Sequence, residues 1–292
     1  MIRKAWVGAA IAVALLGTGA TAQDGNTSKG RTVRTDAEKP AANKIVLVGD
    51  STMAPMSGWA SMFCAHHVKS STACLNLGRG GRSTRSYRQE GSWDLALAEA
   101  RVAGYRRTFV LIQFAHNDQS SAAERWTEMD TEFPGNLRRM VEEVRQAGAV
   151  PVLLTPLTRR DFVKGRLNNT LEPWSAKVRD VATALKVPLV DLNAASAAVV
   201  QEMGPVRAMD LAQTAPNSTE RDHAATGTTL KPRPAAEARL PDVPTTPDGP
   251  RGQFQRKFDY THLGDAGAEL FAGLVARDLA RAVPELRSQI AP

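Results

Sequence analysis

Ile45-Val46-Leu47-Val48-Gly49-Asp50-Ser51-Thr52 sets four consecutive apolar residues against a run of small, turn-forming ones. An unbroken apolar run this short predicts a strand buried on both faces, the kind found in a parallel sheet covered by helices. Working outward, the alternation recurs. A helix pattern runs from Gly58 to about Val68, then come a strand near Ala73–Leu77 and a helix near Trp93–Ala103. A strand at Thr108–Gln113, a helix at Pro134–Ala147 and a strand at Val150–Thr155 follow, then a helix over about Pro173–Leu185 and a short fifth strand at Pro188–Val190. A last helix, about Ala266–Ala282, places Leu270, Phe271, Leu274, Val275 and Leu279 on one face, the spacing of a core-facing stripe. Strands alternating with helices predict an α/β fold.

Between Pro205 and Arg256 the pattern stops. This segment holds 8 of the 17 prolines and few large apolar groups, so it cannot build its own core. It is expected to be an insertion within one domain, at about 205–256, serving as a disordered loop or a lid. At the other end, Arg3 and Lys4 precede an apolar run from Trp6 to Leu16 and the small residues Ala20-Thr21-Ala22. That predicts a signal peptide over 1–22, a disordered polar leader over 23–43, and a single domain from 44 to 292. The apolar run is too short to cross a bilayer comfortably, so no stable membrane insertion is expected after cleavage. Export would end in a periplasm or outside the cell. There disulfides persist, and Cys64 and Cys74, the only two cysteines, are expected to pair. A metal site from Cys64, His66, His67 and Cys74 has no specific zinc spacing, and two free thiols are the remaining alternative.

The chain has 292 residues, 42% of them hydrophobic and 23% charged, which excludes a collagen, a disulfide scaffold and a wholly disordered chain. Its 37 Lys+Arg against 30 Asp+Glu are spread along the sequence rather than gathered into a basic, aromatic-interleaved run. Nucleic acid is therefore not the expected partner, while an acidic polysaccharide is compatible.

In open α/β sheets ligands bind outside the carboxyl ends of the strands. Polar residues gather at those positions: Gly49-Asp50-Ser51-Thr52, Gly80-Gly81-Arg82-Ser83, Ala115-His116-Asn117-Asp118, and Asp259-Tyr260-Thr261-His262 before the last helix. Each alone reads as a turn or a surface pair. Together they supply what acyl transfer requires: a hydroxyl nucleophile, a base three residues from a carboxylate that can orient it, and donors for an oxyanion. Met53 stands where a second glycine would complete a G-x-S-x-G elbow, so the α/β-hydrolase pattern is not met.

Gly49-Asp50-Ser51-Thr52-Met53, then Asn76 to Gly81-Arg82-Ser83 with Arg85-Ser86, then Gln113-Phe114-Ala115-His116-Asn117-Asp118, then Asp259-x-x-His262 resemble, in this order, the blocks of the SGNH (GDSL-type) hydrolases. Within them the sequence is most similar to the rhamnogalacturonan acetylesterase group, over about residues 44–204 and 257–282. The resemblance implies a flavodoxin-like three-layer α/β/α sandwich with a five-stranded parallel sheet. It implies Ser51 as nucleophile, His262 as base and then acid, Asp259 as the orienting carboxylate, and an oxyanion hole from the N–H groups of Ser51 and Gly81 with the Asn117 amide. No metal or organic cofactor is needed.

Arg82, Arg85, Arg159 and Arg160 fall in or near the expected site loops, and guanidinium groups suit a galacturonate carboxylate. Trp59, Trp93 and Trp174 are expected in the core, His66, His67 and His223 on surfaces or loops, and Asp50 and His116 as loop-fixing residues. Two departures from the family pattern stand out: Ala115 where glycine is usual, and the proline-rich segment ahead of Asp259. The expected function is a secreted serine esterase removing O-acetyl groups from plant cell-wall polysaccharide, pectic by the resemblance, through a Ser-His-Asp acyl-enzyme mechanism, with acetylated polysaccharide or oligosaccharide as its partner. The same chemistry on acetyl-xylan, an acyl lipid or a small ester is the near alternative, and a non-catalytic glycan-binding module the alternative from another class.

Overall fold

Strand β1 (Asn43–Gly49) lies second in a five-stranded sheet, where it pairs in parallel with β2 (Thr72–Asn76) on one side and β3 (Thr108–Gln113) on the other. β4 (Val150–Leu154) and the two-residue β7 (Leu189–Val190) extend it in the order β2-β1-β3-β4-β7. The structure is a computed structural model that describes residues 42–230 and 258–291. The expected signal peptide over 1–22 and most of the leader lie outside those residues. Asn43, placed in the leader by its sequence, is instead the first residue of β1 and buried.

The apolar runs are continuous because successive side chains face opposite cores. Ile45 and Leu47 of β1, Phe109 and Leu111 of β3, and Val152 and Leu154 of β4 pack on one face with Trp59, Phe63, Phe271, Val275 and Leu279. Val46, Val48, Val110, Ile112 and Leu153 pack on the other with Trp93, Phe133, Leu137, Met140, Val144 and Trp174. The first face is covered by α1 (Ala60–Met62, running into a π turn over Phe63–His67), α6 (Leu192–Arg207) and α8 (Asp265–Ala282). The second is covered by α2 (Thr84–Gln89), α3 (Ser92–Ala100), α4 (Glu132–Gln146) and α5 (Glu172–Leu185). The result is the three-layer α/β/α sandwich expected, and all described residues fall in one compact unit. The three tryptophans expected in the core are there, each at most 7% exposed.

Helices α2 and α6 and a hairpin of β5 (Phe162–Val163) and β6 (Arg166–Leu167) were not foreseen. α6 buries Leu192, Asn193, Ser196 and Val200, a face too small and too polar to register as an apolar stripe. The interruption expected from Pro205 also begins later. α6 continues through a kink at Gly204 to Arg207, a 3-10 turn spans Ala208–Leu211, and α7 covers Ser218–Ala225. This stretch has no core of its own and borrows one: Met209 and Ala224 pack against Tyr260 and Phe258. Gly165 N donates to Gly227 O and Thr229 N to Phe162 O, which lashes it to the hairpin. The remainder of the expected insertion, 231–257, lies outside the described residues.

The turn around Gln289 packs back against the starts of β1 and β2. Asn43 Nδ2 and Thr72 Oγ1 both donate to Gln289 Oε1 at 2.8 Å, and Val68 bridges Ile290. Cys64 and Cys74 form a disulfide between the π turn and β2, with Cα atoms 5.5 Å apart. Both sulfurs are thereby removed from any metal-ligand set, and His66 Nδ1 meets Glu269 at 2.7 Å instead.

Candidate active site

β1 ends in the turn that carries Ser51. Asp50 is fully buried, and its Oδ1 accepts from Thr52 N at 2.9 Å and Thr52 Oγ1 at 2.8 Å. Thr52 Oγ1 accepts in turn from Gln113 Nε2 at 2.6 Å, and Gln113 Oε1 from Trp59 Nε1 at 2.9 Å. Burial pushes the Asp50 carboxyl up, while the two Thr52 hydrogen bonds pull it down. Asp50 is a loop-fixing residue in the sense expected. Gly58 is required where it stands: a Cβ there would lie 2.1 Å from the Thr52 carbonyl oxygen. Ser51 itself is 8% exposed, with its carbonyl accepting from Ser57 Oγ at 2.6 Å.

The base block precedes α8. Asp259 Oδ1 accepts from the backbone N–H groups of Thr261 and His262, both at 2.7 Å, and Oδ2 meets His262 Nδ1 at 2.6 Å. A carboxylate only accepts, so Nδ1 carries the proton and Nε2 of the neutral ring is left with its lone pair, the tautomer a general base needs. Burial pushes Asp259 up, but the bond and charge of His262 and the two backbone donors outweigh it and hold the carboxyl at about 2. Two contacts bring this block to the nucleophile turn: Leu263 N donates to Ser57 O at 3.0 Å, and Ser57 holds the Ser51 carbonyl. Among the described residues no hydrogen bond yet joins the Ser51 hydroxyl to His262. Such contacts commonly close only on substrate.

Arg160 corrects the expectation that it binds substrate. It is 1% exposed, and its guanidinium donates to the backbone carbonyls of Thr261 at 3.2 Å, Asp259 at 3.0 Å and His262 at 2.8 Å. Its own N–H donates to Tyr260 O. Burial lowers the guanidinium to about 10, with Asp259 opposing. Arg160 is the bolt that holds the base block. Its partners lie 99 to 102 positions away, beyond the reach of any local pattern.

On the opposite flank, Gly81 adopts a φ of 78°, a left-handed conformation that favours glycine. A Cβ on Gly80 would lie 3.8 Å from Ser51 Cβ, so the glycine turn sits against the nucleophile. Asn117 Nδ2 donates one hydrogen to Arg82 O at 3.0 Å, which ties the β3 loop to this turn and leaves a second amide hydrogen. Asp118 secures the same loop to α2 and beyond: its Oδ1 accepts from Thr84 N, Thr84 Oγ1 and Thr127 Oγ1. Burial pushes its carboxyl up to about 7 against those three bonds. His116 is buried, with Nε2 2.8 Å from Leu157 O, and burial lowers its pKa well below the ordinary imidazole value. Ala115 takes a φ of 137°, and its methyl is buried in the second core, away from the site. The loop therefore keeps the backbone a glycine would adopt, at a strain cost of roughly 1–3 kcal/mol.

Of the other arginines, Arg82 bonds Glu90 at 2.9 Å and Gly80 O at 2.7 Å, and Arg85 is gripped by Glu132. Both charges are committed within the protein, which argues against a leading role in substrate recognition. Arg159 donates to Thr170 Oγ1 at 3.0 Å and lies in the field of Asp50, Asp161 and Asp259, beside the site.

Residues 47–270 match the model of the GDSL-like lipase/acylhydrolase family. The rhamnogalacturonan acetylesterase RhgT of Bacillus subtilis (strain 168) is 34% identical over 170 residues, which span 56% of this chain and 70% of the relative. The probable rhamnogalacturonan acetylesterase YesY of the same organism is 29% identical over 170 residues, 56% of this chain and 76% of the relative. Among solved structures, the protein YxiM from Bacillus subtilis superposes with a TM-score of 0.59 at 24% identity, covering 82% of this chain and 57% of that one. That likeness shows the fold.

Proposed function

The chain belongs to the GDSL-like lipase/acylhydrolase family and is a carboxylic ester hydrolase of the SGNH class, and from that premise we propose that it is an exported serine acetylesterase acting on pectic polysaccharide. The observation that carries the mechanism is the 2.6 Å Asp259–His262 contact, bolted by Arg160 and joined through Leu263 and Ser57 to the Ser51 turn. Ser51 Oγ attacks the acetyl carbonyl as His262 Nε2 takes its proton, and Asp259 stabilises the imidazolium. The negative oxygen moves toward the N–H groups of Ser51 and Gly81 and the free hydrogen of the Asn117 amide. The sugar hydroxyl leaves with the proton from His262, and water repeats the cycle on the acetyl-Ser51 intermediate.

Support for the pectic substrate comes from the relatives named rhamnogalacturonan acetylesterases. Support for export comes from the pattern over residues 1–22 and from the disulfide, which suits an oxidising compartment. The test measures acetate release from acetylated rhamnogalacturonan, acetylated xylan and a chromogenic acetate ester, with the natural protein and Ser51→Ala side by side. Ser51-dependent release favouring the pectic polymer is expected. Release from the small ester alone keeps the mechanism and moves the substrate, and release that does not depend on Ser51 overturns the mechanism.

A further inference from the structure

We propose that Arg125 and Trp126 form a carbohydrate subsite beside the oxyanion turn, in which Arg125 takes the carboxylate of an acidic sugar and Trp126 offers its ring face. The inference rests on the acetylesterase assignment of the site and adds what selects its substrate.

The loop that carries the pair is built into the site. Arg125 N and Trp126 N both donate to Ala122 O, at 3.0 and 2.9 Å, which folds the loop into a turn. The next residue, Thr127, is fully buried, with its N–H on Asp118 O at 3.0 Å and its Oγ1 on Asp118 Oδ1 at 3.1 Å. Asp118 follows Asn117, so the turn is anchored to the same loop that presents the expected oxyanion amide. Arg125 Nη1 then reaches to 3.9 Å from the point where a Cβ of Gly81 would project. A cation is thus placed against the glycine turn that faces the Ser51 ester.

What separates Arg125 from its neighbours is its charge economy. Arg79 and Arg82 share Glu90, Arg85 is held by Glu132, and Arg88 by Glu143. Among the described residues the Arg125 guanidinium makes no hydrogen bond, and its buried Nε has an ion-pair contact alone. The nearest carboxylate is that of the adjacent Glu124, 3.4 Å from Nε and itself 69% exposed. An exposed pair of that kind is worth little and yields readily to a ligand carboxylate that a guanidinium can grip with two parallel bonds. Trp126 is 46% exposed, unlike the buried Trp59, Trp93 and Trp174, and the Arg85 guanidinium lies 5.8 Å from its ring centroid. A large aromatic left half in solvent beside a reaction centre is the amphipathic surface that sugar rings cover.

The experiment compares kcat/KM on acetylated rhamnogalacturonan oligosaccharides with that on acetylated xylo-oligosaccharides, for the natural protein and for Arg125→Gln, Arg125→Lys, Trp126→Ala and, as a control at the opposite end of the sheet, Arg106→Gln. Thermal melts confirm that each variant is folded. Arg125→Gln is expected to cut the acidic-over-neutral preference by about tenfold, as loss of a charged hydrogen bond does, with the change carried in KM. Arg125→Lys should recover part of the preference, which added salt then weakens. Trp126→Ala should raise KM on both oligosaccharides, and Arg106→Gln should leave the preference as it was. A natural protein that prefers the acidic substrate while Arg125→Gln keeps that preference overturns the subsite and leaves the pectic assignment standing. A natural protein with no preference overturns both.

Discussion

The two halves of the site are held in place by different means. The nucleophile half rests on the sheet: Ser51, Gly81 and Asn117 follow β1, β2 and β3, and a chain of hydrogen bonds through Asp50, Thr52, Gln113 and Trp59 fixes the Ser51 turn. The base half has no strand beneath it. Asp259 and His262 sit in a loop ahead of α8, where the Asp259 carboxylate holds two of the loop's N–H groups and one buried cation, Arg160, holds three of its carbonyls. Sheet-borne groups inherit their positions from a core with many redundant contacts. A loop held by two charged side chains, Asp259 and Arg160, concentrates its dependence on them, and the two halves should fail differently.

The largest expected effect is chemical. Asp259→Asn keeps the size of the side chain but allows it to donate, so His262 is turned to the wrong tautomer, and kcat should fall by about 10⁴-fold; a loss below tenfold in steady-state assay would sink the assigned role. Next is Arg160→Met, which leaves three loop carbonyls without their donor. It should cost about 3 kcal/mol of stability and lower kcat, because the base block loses its anchor. Chemical denaturation with parallel kinetics checks this, and unchanged kcat in a folded variant would show that Arg160 does not position the base.

Two smaller changes probe the sheet-borne half. Asp118 titrates at about 7 folded against 3.8 in its ordinary state, so the folded protein holds a proton the unfolded chain releases. Its burial therefore costs stability as pH rises from about 4 to 7, the reverse of a carboxylate in an ion pair. Asp118→Asn retains the accepting oxygen and should flatten the fall of Tm across that window; a parallel fall in both proteins would refute it. The smallest effect belongs to Ala115→Gly, which releases the strain at φ 137° but gives up a buried methyl and adds unfolded-state entropy. The balance favours a gain of about 1 kcal/mol, measured as a higher urea midpoint, and a lower midpoint would mean that the methyl's packing dominates.

The same contrast explains what could be read from the sequence. β1, β3 and β4 were legible because strands buried on both faces produce unbroken apolar runs, and the site blocks because each follows such a run or precedes a strongly striped helix. α6 escaped because its buried face holds only Leu192 and Val200 beside the polar Asn193 and Ser196. The stretch over 208–230 escaped because its apolar residues are too few to make a core and find theirs at Tyr260 and Phe258. Arg159 and Arg160 looked alike in sequence, yet one lies beside the site and the other inside the protein. Only the distant carbonyls around Arg160 distinguish them. Trp126 passed unnoticed because exposure, not residue type, sets it apart from the core tryptophans.

Gln289 carries a consequence in time. Its side-chain oxygen closes on Asn43 at the start of β1 and on Thr72 at the start of β2, and the neighbouring Ile290 bridges Val68 next to the disulfide turn. A ribosome adds Gln289 only 246 positions after Asn43 and 217 after Thr72. The outer ends of these two strands therefore wait, unlatched, while the intervening chain is made, and the domain closes only when the Gln289 turn emerges.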